Sequence, residues 1–225
     1  MWSVKSDVSV SIAILASGRG SNFWAIHQAI EANELQARIV AVVSDQKDAL
    51  VLSRAQQAQV PAFCVPWPDR KLFSSSSELR ADHEQRVLKA LEPFAPRFLV
   101  LAGYMRILSP LLIEAFRSEC GYSRIVNIHP SLLPAFCGVH SYAQAFHYGV
   151  KWTGVTVHFV ESAVDTGPIC AQEVFPISDC QTPEEVEKRG LEIEHRLFPE
   201  TLKWLLPEQF RLETRAEGRI CVCPN

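Results

Sequence analysis

Residues 8–22 read VSVSIAILASGRGSN. The first eight are apolar and rich in β-branched side chains, the composition of a buried strand. The next seven are small and carry Gly18 and Gly20. Residues 23–32 follow with Phe23, Ile26, Ala29 and Ile30 on one helical face. A strand, a tight glycine-rich turn and a helix, in that order, open a parallel α/β sheet. Unpaired N–H groups at such a helix start form a ready phosphate site, and glycine lets a ligand approach the backbone.

The rest of the chain extends this unit. Strands are predicted at residues 39–43, 62–65, 98–102 and 125–128, with helices at 50–59, 78–91 and 109–116 between them. The serine run Ser74–Ser77 lies in a predicted loop, 66–77. Residues 154–160 and 169–177 read as an antiparallel pair joined by a turn at 165–168. A long helix is expected over 183–206, broken near Pro199, and a terminal hairpin over 210–222. The fold class is therefore α/β: an open, mostly parallel twisted sheet with helices on both faces, Rossmann-like, with antiparallel strands in the C-terminal part.

Composition narrows the functions. The chain has 225 residues, 48% apolar, and a net charge of −3. That charge offers no general attraction to nucleic acid or acidic lipid, so neither is an expected partner. No apolar run approaches the roughly 20 residues that span a bilayer. Residues 1–7 are mixed in charge and unlike a signal peptide. The seven cysteines form no CxxC pair; Cys64 and Cys170 read as buried small hydrophobes. A reducing, cytoplasmic setting is expected. His140, His147 and His158 lack metal-site spacing, so no metal is expected.

Taken alone, the candidate site residues leave several readings open. The turn departs from G-x-G-x-x-G, because Phe23 stands in the third glycine's place, although Asp45 follows the second strand where a ribose-binding acid would lie. Dinucleotide site, mononucleotide phosphate site and plain turn all remain. Asn127 and His129 lie at the carboxyl end of a strand, on the same side, where open α/β sheets bind ligands. They also suit a turn cap and a core histidine. Asp165 suits an ordinary turn, or an acid beside His129 that favours the imidazolium.

The combination of motifs is more specific. SGRGSN (17–22), AGYMRILSP (102–110), NIHPSLLP (127–134), GVTVHFV (154–160) and DTGP (165–168) occur in an order and spacing that resembles the glycinamide ribonucleotide formyltransferase family of purine synthesis. The similarity runs from about residue 10 to about residue 206. It implies 10-formyltetrahydrofolate as the formyl donor and glycinamide ribonucleotide as the acceptor, with no metal. It implies catalysis by Asn127, His129 and Asp165. Gly20, Ser21, Asn22 and Glu194 would bind the ribonucleotide. Arg80, Met105, Arg106, Ile107, Leu108 and Asn127 would bind the folate. One domain, 1–225, is expected, with a phosphate-binding half (8–100), a folate and catalytic half (101–206) and a tail (207–225). The partners would be these small molecules, and the chain a monomer or homodimer.

Departures from the family stand at Ala135, Phe136 and Cys137, and at Tyr142, where a histidine is common. These resemble formyltetrahydrofolate deformylases, so a hydrolase releasing formate is the alternative. A non-catalytic nucleotide-binding protein is another.

Overall fold

β1 (Val10–Leu15) runs through the middle of a seven-stranded sheet, and its alternation sorts the core into two layers. Ile12 and Ile14 face one side, Ala13 and Leu15 the other, and all four are fully buried. The structure is a computed structural model that describes residues 9–215 and 218–225. The mixed-charge start read above, and Val8 of the expected first strand, lie outside the described residues.

The sheet order is β3 (Ala62–Cys64), β2 (Ala37–Ser44), β1, β4 (Phe98–Leu101), β5 (Ile125–His129), β6 (Trp152–Phe159) and β7 (Ile169–Pro176). The first five in this order are parallel; β6 and β7 are antiparallel to their neighbours. The layer holding Ile12 and Ile14 is closed by α1 (Ser21–Glu31), α2 (Leu50–Gln57), α5 (Ser141–Tyr148) and α6 (Pro183–Leu205). The layer holding Ala13 and Leu15 is closed by α3 (Ser76–Leu91) and α4 (Pro110–Ala115). This is the expected α/β architecture. Because β1 lies between β2 and β4, the chain reverses direction across the sheet there, and the carboxyl ends of β1, β4 and β5 border one crevice.

Four local readings differ. α6 is continuous through Pro199. An interior proline costs about 3 kcal/mol, but Leu197, Phe198, Leu202 and Leu205 are all buried in the core, each contributing roughly 1.5–3 kcal/mol. α5 lies in a stretch where no element is predicted. It carries no side-chain cap: its N-cap is His140 at φ 59, and Gly149 ends it at φ 81, so the usual start signal is missing. Within the serine run, Ser75 caps α3 by accepting the Glu78 N–H at 3.1 Å. Cys64 is exposed, not buried, because it ends the edge strand β3, which is covered by β2 on one side alone. Cys170 is buried as expected.

The tail is tied to the core. β8 (Phe210–Thr214) and β9 (Ile220–Pro224) form an antiparallel hairpin. The Phe210 ring packs 5.2 Å from Tyr122 and 5.6 Å from Phe159. No helix among the described residues is long and apolar enough to cross a membrane.

Candidate active site

The glycine-rich turn leads into α1 through Gly20, which has φ 70. A Cβ there would also lie 2.6 Å from Cγ2 of Val51. Conformation and packing both demand glycine. The Val51 N–H donates to the Gly18 carbonyl at 3.1 Å, fastening the turn to α2. The first N–H groups of α1 therefore point outward from a fixed base. Asn22 is buried; its Nδ2 donates to Glu194 Oε2 at 2.6 Å, while the Tyr142 hydroxyl donates to Oε1 at 2.6 Å. Burial raises the Glu194 carboxyl above its ordinary value, against the pull of these two hydrogen bonds. Thus Glu194, 172 residues beyond Asn22, joins the turn Gly20-Ser21-Asn22 in one cluster.

A cavity of about 410 Å³ opens beside it. One wall is Met105, Arg106, Ile107 and Leu108; the others come from Asn127–Pro130, from 138–140 and from 160–165. Met105 and Ile107 are 64% and 52% exposed, and Leu108 is buried. An apolar wall with a few polar groups suits a flat, partly aromatic ligand. Arg106 is held on two sides: its Nε donates to Asp45 Oδ2 at 2.7 Å, and its guanidinium lies 4.3 Å from the centre of the Trp67 ring. Burial works against the Asp45 charge, but the neighbouring Ser17 hydroxyl and donors on Arg106 and Gln46 outweigh it and hold the carboxyl below its usual range. Asp45 is thereby committed to Arg106, which argues against its reading as a ribose-binding acid. The Met105 N–H donates to Ser17 Oγ at 2.9 Å, linking the cavity wall to the phosphate turn. Arg80 lies on α3 and is not among the lining residues.

Asn127, His129 and Asp165 meet at the cavity floor. His129 Nε2 donates to the Phe136 carbonyl at 3.0 Å and lies 3.2 Å from Ser141 Oγ. Its Nδ1 is 3.4 Å from Asp165 Oδ2. Each ring nitrogen thus faces an acceptor. Asp165 takes a left-handed φ of 54, and its Oδ2 also accepts the Gly138 N–H at 2.8 Å. The loop after β5 and the turn after β6 are thus joined at the acid itself.

His158 lies on β6, directly opposite Asn127 on β5. Its Nδ1 donates to the Phe159 carbonyl at 2.8 Å, which leaves Nε2 to accept Asn127 Nδ2 at 3.1 Å. Burial lowers the His158 pKa and keeps the ring neutral, consistent with that role. The 3.8 Å approach of Nε2 to Asp165 is therefore not an ion pair. The support given by Ser141, Tyr142, Asp45 and Trp67 was not legible in the sequence, since each contact crosses between elements. Among the described residues, no three His, Cys, Asp or Glu side chains converge as a metal shell.

A family model described as formyl transferase matches residues 10–202. The chain belongs to the formyl transferase family. Its members include close matches in sequence and in structure. The phosphoribosylglycinamide formyltransferase of Bacillus subtilis is 38% identical over 194 residues, 86% of this chain and 93% of the relative. The glycinamide ribonucleotide transformylase 1 of Symbiobacterium toebii superimposes with a TM-score of 0.81 at 35% identity, over 96% of this chain and 93% of the other. A formyltetrahydrofolate deformylase of Pseudomonas syringae superimposes with a TM-score of 0.80 at 25% identity, over 96% of this chain and 66% of the other. The formyl transferase fold thus carries both chemistries that the sequence motifs left in contention.

Proposed function

We propose that the protein transfers the formyl group of 10-formyltetrahydrofolate to the amine of glycinamide ribonucleotide. The products are formylglycinamide ribonucleotide and tetrahydrofolate. The observation that carries this reading is the position of Asn127, His129 and Asp165 at the junction of two subsites. The three share one cavity with the apolar wall 105–108, and α5 links them to the phosphate turn, because Ser141 touches His129 while Tyr142 holds Glu194, the partner of Asn22. A hydrolase needs the first subsite alone.

In this reading the amine nitrogen attacks the formyl carbon and the carbonyl oxygen takes up negative charge. The Asn127 carboxamide, held by His158 through one N–H, donates the other to that oxygen, and protonated His129, still paired with Asp165 through Nδ1, donates its Nε2–H to it in exchange for the Phe136 carbonyl. Donors fixed in this way commonly contribute roughly 3–4 kcal/mol to the transition state. Asp165 orients His129 and takes part in removing the amine proton. The bond from the formyl carbon to N10 of the folate then breaks, and N10 takes up a proton. Met105, Ile107 and Leu108 would flank the folate ring, and the clamped Arg106 would face an anionic or carbonyl group. The phosphate would sit at the N–H groups of Gly20, Ser21 and Asn22. The name of the Bacillus relative supports the same acceptor. Seven cysteines left as free thiols are in keeping with a cytoplasmic enzyme.

The likeness to the Pseudomonas deformylase, with Phe136 beside His129, is what favours the hydrolase reading. The decisive assay follows loss of the formyl donor with and without glycinamide ribonucleotide. Transfer predicts donor loss only with the amine, matched by formylated product. Rapid donor loss in its absence would overturn the transferase reading.

A further inference from the structure

Tyr142 and Gly190 are fitted to one another. Gly190 lies inside α6, where glycine costs about 1 kcal/mol relative to alanine and where no turn calls for it. A Cβ at this position would stand 2.1 Å from the Tyr142 hydroxyl oxygen and 2.2 Å from Cζ. No rotation of so buried a ring relieves both overlaps: Tyr142 is 8% exposed and packs edge-on against Phe175 at 6.3 Å. α6 omits a side chain here, and the ring passes through that space to reach Glu194 on the same helix.

The contact it makes there is short and buried. The Tyr142 hydroxyl and the Asn22 amide take one Glu194 oxygen each, both at 2.6 Å, and Glu194 is 6% exposed. Each carboxylate oxygen keeps a second acceptor position. Asn22 Oδ1, buried and without a hydrogen-bond partner among the described residues, is a further acceptor in the same cluster. Acceptors gathered beside a phosphate turn suit a ligand that brings hydroxyl donors next to its phosphate, as a ribose 5-phosphate does.

Resting on the proposed function above, we propose that Tyr142 is a positioning residue for the ribonucleotide. Its hydroxyl sets the Glu194 carboxylate in the orientation that accepts the ribose hydroxyls, and Gly190 supplies the space it requires. Ser141, the preceding residue, touches His129, so the first turn of α5 braces both the ribose subsite and the catalytic histidine.

The test is steady-state kinetics and calorimetric titration with glycinamide ribonucleotide on the full chain carrying Tyr142→Phe or Gly190→Ala. Losing a hydrogen bond to a charged group should raise the ribonucleotide KM and Kd about tenfold. The KM for the formyl donor and kcat should stay within about twofold. Gly190→Ala should give the same signature by displacing the ring. Unchanged ribonucleotide KM and Kd in both variants would overturn the proposal, as would equal shifts for both substrates, the mark of a general structural role. A wild-type protein that forms no formylglycinamide ribonucleotide fails the parent reading; one that does, with indifferent variants, fails this inference alone.

Discussion

The Asp165 carboxylate stands 3.4 Å from Nδ1 of His129 through the same oxygen that accepts the Gly138 N–H at 2.8 Å. One atom thus aligns the histidine and ties down the loop that carries the histidine's other partner, Phe136. Because the backbone contact can be kept by a neutral side chain, charge and architecture are separable at this residue.

Asp165→Asn preserves an oxygen for Gly138 and removes the charge beside His129. kcat should fall by about 10²–10⁴, the range of general acid–base and orienting roles. Calorimetric Kd for glycinamide ribonucleotide should change less than about threefold, since the phosphate turn is untouched. Near-normal turnover in the folded variant would remove Asp165 from the mechanism.

Asp45→Asn tests the clamp on Arg106. With the carboxylate gone, the guanidinium keeps the Trp67 ring but loses its 2.7 Å ion pair. The KM for the formyl donor should rise about five- to tenfold, in line with one charged hydrogen bond. The ribonucleotide KM should hold. An effect on the ribonucleotide alone would place Arg106 in the other subsite.

Gly20→Ala places a Cβ 2.6 Å from Val51 at a left-handed φ. Strain of this kind is worth roughly 1–3 kcal/mol. Urea denaturation should show a loss of that order, together with weaker binding of the ribonucleotide phosphate. A variant as stable as the wild type, with unchanged binding, would show that the turn tolerates a side chain.

His83 provides a pH signature behind the cavity wall, where its ring packs against Trp67 and meets Tyr104. Its Nε2 is 2.6 Å from the Tyr104 hydroxyl, and burial, helped by the Arg86 charge, lowers its pKa to about 4. The folded chain therefore disfavours protonation. The contribution is complete above the unfolded value of about 6.5 and is lost as pH falls from about 6.5 toward 4, at up to about 1.4 kcal/mol per pH unit. Over that window the wild type should lose more stability than His83→Gln in parallel denaturant titrations. Equal slopes would mean that His83 titrates freely.

The strand positions, the glycine-rich turn and the motif order were readable from local pattern. β-branched runs mark strands wherever they pair, and Gly20 announces a backbone conformation by being glycine. Apolar alternation at residues 125–129 likewise put Asn127 and His129 on one side before any contact was known. Reading failed where local signals were absent or outweighed. α5 starts at a left-handed histidine, and α6 continues through Pro199 because its neighbours are buried.

Element order, the parallel sheet and, through the combination of motifs, the family all follow from the order of the amino acids alone. Asp45 comes to serve Arg106, His158 to hold Asn127, and Tyr142 to reach Glu194 through the gap at Gly190 only once the layers are packed. Each of these contacts joins side chains that are 31 to 61 residues apart along the chain. Helical and strand periodicity report which face a residue takes on its own element. They carry no information about which distant side chain will meet that face when the layers close.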